Sequence, residues 1–170
     1  MEVIKLKRKY FSETLLKITF FILKRALPSI TKFDNDVKSE LKSFQEGFKI
    51  SLVFEPSNFG VTFKKRGEIL VRDKFDLSSD LIIYFKDIKS SLKMMFGFLR
   101  LDYAFSENRL RLKGDIAKGM VFTRILEYLL TYLYPKFISK NAVKRMPKIS
   151  FVKKFIVRTY TYILSIPFGI

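Results

Sequence analysis

The segment DLIIYFKDIKSSLKMMFG, residues 80–97, joins two different structural patterns. Residues 81–85 are almost wholly apolar, which is typical of a strand that lies centrally in a sheet or is covered on both faces. Asp87 is a residue type that caps helix N-termini, and Gly97 is one that follows helix C-termini. Between these two residues, one helix face carries Ile88, Leu92, Met95 and Phe96. The segment therefore predicts a buried strand followed by a short helix.

Period-two patterns on both sides of this segment predict the rest of a sheet. Apolar and polar residues alternate over residues 48–55, which indicates a half-buried strand, and residues 61–72 form a hairpin. A further strand covers residues 109–113, after which Asp115 begins a long helix that Pro135 ends. The predicted fold class is α+β, with a five-stranded, mostly antiparallel sheet backed by helices.

Helical patterns extend this sheet domain at both ends. A first helix covers residues 11–27 with its charges on one narrow stripe, and we expect Pro28 to end it. A second helix follows capping residues at 34–36, and we expect Gly47 to end it. A last helix over residues 151–166 has a polar stripe, formed by Lys154, Arg158, Thr161 and Ser165, and nearly everything else in it is apolar.

Two segments together contain four elements in succession: a strand, a capped helix, a second strand and a Gly-Asp step into a long helix. The first is residues 80–97, and the second is FSENRLRLKGD, residues 105–115. Together they resemble the sterol-carrier-protein family of lipid-binding domains, over about residues 36–134. The resemblance implies a sheet whose helix-facing side encloses an apolar tunnel for a lipid or acyl chain. It also implies a domain without a metal and, as is usual in the family, without catalysis of its own.

Cysteine and histidine are both absent from the chain. Disulfides, thiolate or imidazole zinc sites, and Ser-His or Cys-His nucleophiles are therefore excluded. Asp87 and Asp115 are the acids that an enzyme mechanism would use, but both stand where helix caps are expected. We predict no enzyme activity, no catalytic residue, no metal site and no cofactor.

The net charge of +17 is concentrated in two arms. Residues 1–32 contain eight Lys or Arg against two acids, and residues 135–170 contain eight against none. Because both arms are also rich in apolar residues, they suit an anionic interface, either a membrane or a nucleic acid. The chain has no run of about 18 uncharged apolar residues, so we expect it to dock on a membrane and not to cross it.

These observations divide the chain into three parts: a basic amphipathic N-terminal helical extension (1–35), a lipid-binding domain (36–134) and a basic C-terminal helical extension (135–170). We predict a non-catalytic lipid carrier, cytoplasmic and peripherally membrane-associated. It holds a sterol-like, isoprenoid or fatty-acyl ligand in an apolar tunnel and docks on anionic membrane surfaces. A basic nucleic-acid-binding module is the alternative function, and the wide apolar helices also suit a homodimer interface.

Met and aromatic side chains concentrate around two of the predicted helices. Such flexible and aromatic side chains line apolar cavities, although each of them also fits an ordinary core. The candidate lipid-binding residues are Ile83, Phe85, Leu92, Met94, Met95, Phe96, Phe98, Met120, Phe122 and Leu126. The candidate membrane-surface cations are Lys17, Lys24, Lys154 and Arg158.

Overall fold

The computed structural model of the chain describes residues 2–143, 147 and 149–168, with side chains from residue 10 onward except at residue 137. Lys144, Arg145 and Lys148 of the basic C-terminal arm lie outside the described residues. The helices are α1 (Glu2–Phe33), α2 (Asn35–Leu41), α3 (Ile88–Met95), α4 (Leu101–Ser106), α5 (Ile116–Leu133), α6 (Lys136–Ala142) and α7 (Phe151–Tyr160). α7 continues through a π-helical segment, Thr161–Ser165, into a last short helix, α8 (Ile166–Phe168), and we call residues 151–168 the C-terminal helix.

Five strands form one sheet in the order β3-β2-β1-β4-β5. They are β1 (Lys49–Phe54), β2 (Phe59–Arg66), β3 (Ile69–Asp73), β4 (Leu81–Phe85) and β5 (Leu110–Lys113). β1 and β4 run parallel, with Ile50 opposite Leu81, and every other neighbouring pair is antiparallel. The predicted α+β class with a five-stranded, mostly antiparallel sheet is confirmed.

β1 is the central strand, and it is buried on both faces. On the face away from the helices, the Ser51 hydroxyl lies 2.7 Å from both the Thr62 and the Ser79 hydroxyl oxygens. Ser51 also donates to the Asp76 carbonyl oxygen at 2.9 Å. The expectation of a half-buried strand is wrong, because the loop of residues 74–79 covers the face on which the polar residues lie.

α1 runs through Pro28 and does not end there. Proline removes a backbone donor and costs a helix interior about 3 kcal/mol. The helix nevertheless continues because apolar residues before and after Pro28 pack into the core, and burying each large one stabilises the fold by about 1.5–3 kcal/mol. These buried residues are Leu16, Phe20, Leu23, Ala26, Leu27 and Ile30. The predicted end at Pro28 is therefore wrong.

Two short helices and one helix end differ from the sequence predictions. α4 and α6 were not predicted, because six or seven residues are too few to display a helical period. α2 ends at Leu41, before the predicted Gly47. Gly47 has a φ of +79° and donates its N–H to the Lys65 carbonyl at 3.1 Å, so it turns the chain into the sheet.

Both terminal arms share the core of the sheet domain. α1 packs against the sheet, and Val157 of the C-terminal helix belongs to the same cluster of buried apolar residues. The three-part division at residues 35 and 134 stays a prediction. Within the part of the chain that the structure describes, no helix combines the length and apolar character that a membrane span needs.

Candidate functional site

A cavity of about 790 Å³ lies between α2, α4, β5 and α5. Small-molecule sites in proteins have volumes of roughly 300–1,000 Å³, so this cavity is large enough for a lipid-sized ligand. Its lining combines apolar and charged side chains: Glu40, Asp102, Phe105, Leu112, Ile116, Gly119, Met120, Thr123, Arg124, Glu127, Tyr128 and Pro147.

α5 supplies most of this lining from a single helix face. The lining positions from Ile116 to Tyr128 recur at spacings of three and four residues, as one face of an α-helix does. Asp115 fixes the start of α5, because its carboxylate accepts the Ala117 N–H at 2.8 Å. Gly119 lets α5 approach β5 closely, since a Cβ there would lie 2.5 Å from a methyl carbon of Leu112.

Ion pairs define the polar side of the cavity. The Arg124 guanidinium donates to both carboxylate oxygens of Glu40, at 2.9 and 2.8 Å, and thereby joins α5 to α2. This bidentate bond raises the pKa of Arg124. On α4, Asp102 accepts two hydrogen bonds from Arg100, at 3.0 and 2.6 Å. Burial raises the pKa of the Tyr128 phenol, and the nearby carboxylates raise it further.

The predicted lipid-binding residues occupy four kinds of position: the cavity, a small separate void, the core and the surface. Met120 lines the cavity. Phe85, Met94, Met95 and Leu126 surround a separate void of about 20 Å³. That void has room for about one water molecule, so an acyl chain fits there only if the core opens.

The other predicted residues lie in the core or on the surface. Ile83 and Phe122 are fully buried, and Leu92 packs against the core. Phe96 is half-buried, whereas Phe98 is 78% exposed after α3 ends. Lipid contact by the ten residues stays a prediction.

Sequence reasoning missed eleven of the described residues that line the cavity. The face of α5 from Ile116 to Tyr128 carried the signal, but it mixes charged, small and apolar residues and so resembles an ordinary solvated face. Glu40 and Asp102 come from distant parts of the chain and had no local signal. Only a search for a second face on α5, beside its buried core face, would have found part of the set.

A second surface arises because the C-terminal helix has its apolar side in water. Phe151 is 75% exposed and Phe155 is 63% exposed, and α1 exposes further apolar residues. The two helices lie side by side, since the Ser165 hydroxyl donates to the Arg25 carbonyl at 2.8 Å and the Phe33 and Tyr160 rings are 4.7 Å apart. We call these exposed residues the terminal apolar surface: Phe11, Ile18, Phe21, Phe151, Val152, Phe155, Ile156, Ile163, Leu164 and Phe168.

The polar stripe of the C-terminal helix faces the protein and meets the end of α5. The last carbonyls of a helix have no partners within it, and Pro135, which follows, brings no N–H. Arg158 donates to the Tyr132 and Tyr134 carbonyls at 2.9 and 2.6 Å. The Tyr162 hydroxyl donates to the Leu133 carbonyl at 3.0 Å. The stripe therefore satisfies carbonyls at the end of α5.

The four cations predicted to face a membrane have different environments. Lys17 is exposed and lies 3.5 Å from Glu13, and Lys24 is half-buried. Lys154 is only 8% exposed, and burial lowers the pKa of its ammonium. Because Arg158 binds α5 carbonyls, it and Lys154 lie on the protein side of the helix. Membrane contact stays a prediction for Lys17 and Lys24, and the structure gives Lys154 and Arg158 an inward position instead.

The two acids that an enzyme mechanism would use are helix caps. Asp87 accepts the Ser90 N–H at 2.7 Å, and Asp115 caps α5. The capping interpretation of both residues is confirmed.

Comparison with known families agrees with this architecture. A family model described as the SCP-2 sterol transfer family matches residues 25–127, more than half of the chain. The chain belongs to this family. Membership in the SCP-2 sterol transfer family implies sterol or lipid binding or transfer in general. A comparison with curated protein sequences found no match.

Solved structures similar to this SCP-2 family member include three of different kinds. An inverting sec-alkylsulfatase from Pseudomonas is 18% identical with a TM-score of 0.39, over 55% of this chain and 14% of that chain. A UbiJ-SCP2 ubiquinone synthesis protein is 11% identical with a TM-score of 0.44, over 63% of this chain and 95% of that chain. A Thermus thermophilus protein described as possibly a sterol carrier protein is 14% identical with a TM-score of 0.42, over 71% of this chain and 88% of that chain. This chain thus spans only a small part of the alkylsulfatase's length.

Proposed function

We propose that this chain is a non-catalytic lipid carrier, cytoplasmic and peripherally membrane-associated. It holds the apolar part of a sterol-like, isoprenoid or fatty-acyl ligand in the cavity beside α5, and it docks on anionic membranes through the terminal apolar surface. The cavity carries this proposal, because a volume of about 790 Å³ with an apolar wall fits a lipid, and the family binds lipids.

The lipid-binding half of the proposal is supported by the composition of the cavity wall. Phe105, Leu112, Ile116 and Met120 place aromatic, aliphatic and thioether surface around the same space. A lipid chain that enters this space gains roughly 0.8 kcal/mol for each buried methylene. No nucleophile or metal is needed for such a role.

Blocking the cavity tests lipid binding directly. Thr123 is half-buried in the lining, so Thr123→Trp places a large side chain in the cavity. We expect the variant to lose at least about tenfold in affinity for a neutral fluorescent lipid probe. Ala117→Trp is the matched control, because Ala117 is exposed on the same helix outside the lining, and it should bind the probe normally. Equal binding by both folded variants would place the ligand elsewhere.

The docking half of the proposal is supported by the C-terminal helix, whose apolar side lies in water. The C-terminal helix exposes large apolar side chains along its length, and exposed apolar patches mark interaction sites. The terminal arms also carry exposed bases that an anionic bilayer attracts, each worth about 1 kcal/mol near the surface. These include Lys17, Lys32, Lys136 and Lys140.

Charge favours a bilayer over a second copy of the chain as the occupant of this surface. Two copies that meet there bring together two net charges of +17, which repel each other, whereas an anionic membrane neutralises them. A nucleic acid also neutralises them, but it offers little apolar surface to cover the exposed phenylalanines. A gel shift with generic DNA at physiological salt that is stronger than vesicle binding would instead favour the nucleic-acid alternative.

A further inference from the structure

Lys154 is a buried cation at the beginning of α7. It is only 8% exposed, and its ammonium makes no hydrogen bond or ion pair with any residue that the structure describes. Burial lowers the pKa of Lys154, because it removes the water that stabilises the ammonium charge. A buried charge is normally compensated by a partner. Lys154 therefore lies in an environment that would be stabilised by an anion.

Two further cations lie beside Lys154. Arg158 is four residues further along α7 and thus on the same helix face. It donates to the Tyr134 carbonyl at 2.6 Å, and Lys136 follows Tyr134 by two residues. The charges of Arg158 and Lys136 lower the pKa of Lys154 further. We call Lys136, Lys154 and Arg158 the cation cluster, which opens to solvent at the exposed Lys136.

The acid that the C-terminal helix contacts is already used by other donors. The buried Asp34 carboxylate pairs with Lys153 at 3.0 Å, and it also accepts the Asp36 N–H at 2.9 Å and the Tyr132 hydroxyl. No described carboxylate raises the pKa of Lys154. Residues 135–170 contain no acid at all, so no neighbour along the chain adds negative charge. The positive charge of the cation cluster is therefore not balanced within the described protein.

The cation cluster keeps hydrogen-bond donors for an anion. Of the five N–H groups of Arg158, two donate to the Tyr132 and Tyr134 carbonyls. The Lys154 ammonium has three N–H groups, and long side chains on a helix lean towards its N-terminus. At that end of α7 the Ser150 side chain makes no capping hydrogen bond, and the first N–H groups of a helix attract anions.

We propose that the cation cluster binds a phosphate group. A phosphate monoester carries a charge of about −1.5 to −2 at pH 7 and three strong acceptor oxygens, so it can pair with several cations at once. The group belongs either to a soluble phosphate or to the head group of a lipid. None of the three cations lines the cavity beside α5, so this site is separate from the proposed lipid cavity and does not depend on it.

Calorimetric titration of the full chain with inorganic phosphate, at constant ionic strength in a phosphate-free buffer, is the first test. Lys154→Met removes the buried charge but keeps an apolar stem, and Lys136→Met removes the exposed cation. We expect each variant to bind phosphate at least about tenfold more weakly than the wild type. Lys113→Met is the matched control, because it removes one charge from an exposed position on β5, and it should bind phosphate like the wild type.

Thermal stability distinguishes a binding role of Lys154 from a structural one. Without phosphate, Lys154→Met should melt at the wild-type temperature or a few degrees higher, since it removes a buried charge that has no partner. Phosphate should raise the Tm of the wild type and of Lys113→Met, and leave that of Lys154→Met unchanged. If Lys154→Met melts several degrees below the wild type without phosphate, Lys154 stabilises the free protein and the proposal is overturned.

Vesicles of phosphatidylcholine and phosphatidic acid identify the source of the phosphate. If it is a lipid head group, the wild type and Lys113→Met should bind these vesicles at least about tenfold more tightly than Lys154→Met. If it is a soluble phosphate, the three proteins should bind the vesicles alike and differ only for inorganic phosphate. Either result supports a phosphate site. If folded Lys154→Met matches Lys113→Met in both measurements, or the wild type binds neither probe, the cation cluster is not such a site.

Discussion

The exposed phenylalanines of the C-terminal helix are the sharpest test of membrane docking. In Phe151→Ala/Phe155→Ala, two side chains that are 75% and 63% exposed are removed. Because most of their surface is already in water, the folded state should lose little, and alanine has the highest helix propensity. We expect the free energy of unfolding in solution to change by less than about 1 kcal/mol.

The loss of membrane affinity follows from the same exposures. Fully burying one phenylalanine stabilises a folded or bound state by about 1.5–3 kcal/mol. Since roughly two thirds to three quarters of each side chain remains to be buried, insertion of both contributes about 2–4 kcal/mol. At about 1.4 kcal/mol for each factor of ten, the double variant should bind vesicles roughly 30- to 700-fold more weakly.

Flotation with vesicles of mixed neutral and anionic phospholipid measures this affinity. The matched control is Phe75→Ala/Leu77→Ala, which removes two exposed apolar residues from the loop that covers the other face of the sheet. We expect the control to float like the wild type. If the folded Phe151→Ala/Phe155→Ala protein also floats like the wild type, the terminal apolar surface does not dock on membranes.

Two further predictions concern the end of α5. Arg158→Leu leaves the Tyr132 and Tyr134 carbonyls without their donor and should weaken the attachment of the C-terminal helix by about 2–4 kcal/mol. Faster proteolysis of this helix would measure the loss. Unchanged cleavage would mean that other contacts hold the helix. Burial raises the pKa of Tyr134 from 10.0 to about 12, with Tyr162 adding to the shift. Between pH 10 and about 12, the folded state therefore keeps the Tyr134 proton that the unfolded chain loses. The contribution of Tyr134 to the free energy of unfolding is complete below pH 10 and declines as the pH rises towards 12. Urea unfolding of Tyr134→Phe should show a shallower alkaline decline, and an identical slope would contradict the burial argument.

Local signals were sufficient for most of the sheet and for two helix starts. The apolar run at residues 81–85 forms β4, and the carboxylates of Asp87 and Asp115 accept hydrogen bonds from the first turns of α3 and α5. Each of these features depends on residues within a few positions of one another, and sequence patterns describe that range well. Pro28 shows the limit of such local signals, because the packing of α1 on the sheet outweighs the local tendency of proline to end a helix.

The cavity could not be predicted in the same way. Its walls come from α2, α4, β5 and α5, and the Glu40–Arg124 pair joins residues 84 positions apart. Their approach depends on how the helices pack, and no spacing in the sequence encodes it. Of the predicted Met and Phe residues, Phe85, Met94, Met95 and Phe122 are buried in the core, because large side chains fill a core as readily as they line a cavity.

The C-terminal helix shows why an amphipathic pattern identifies two faces without saying which one turns inward. A polar stripe on a helix ordinarily faces water. Here α5 ends in carbonyls that Pro135 does not satisfy, and Arg158 and Tyr162 supply the missing donors. These hydrogen bonds favour the orientation in which the polar stripe faces α5, and the wide apolar face then lies outside. Two of the cations that suggested electrostatic docking, Lys154 and Arg158, thus face the protein, and the proposed docking depends mainly on the exposed phenylalanines.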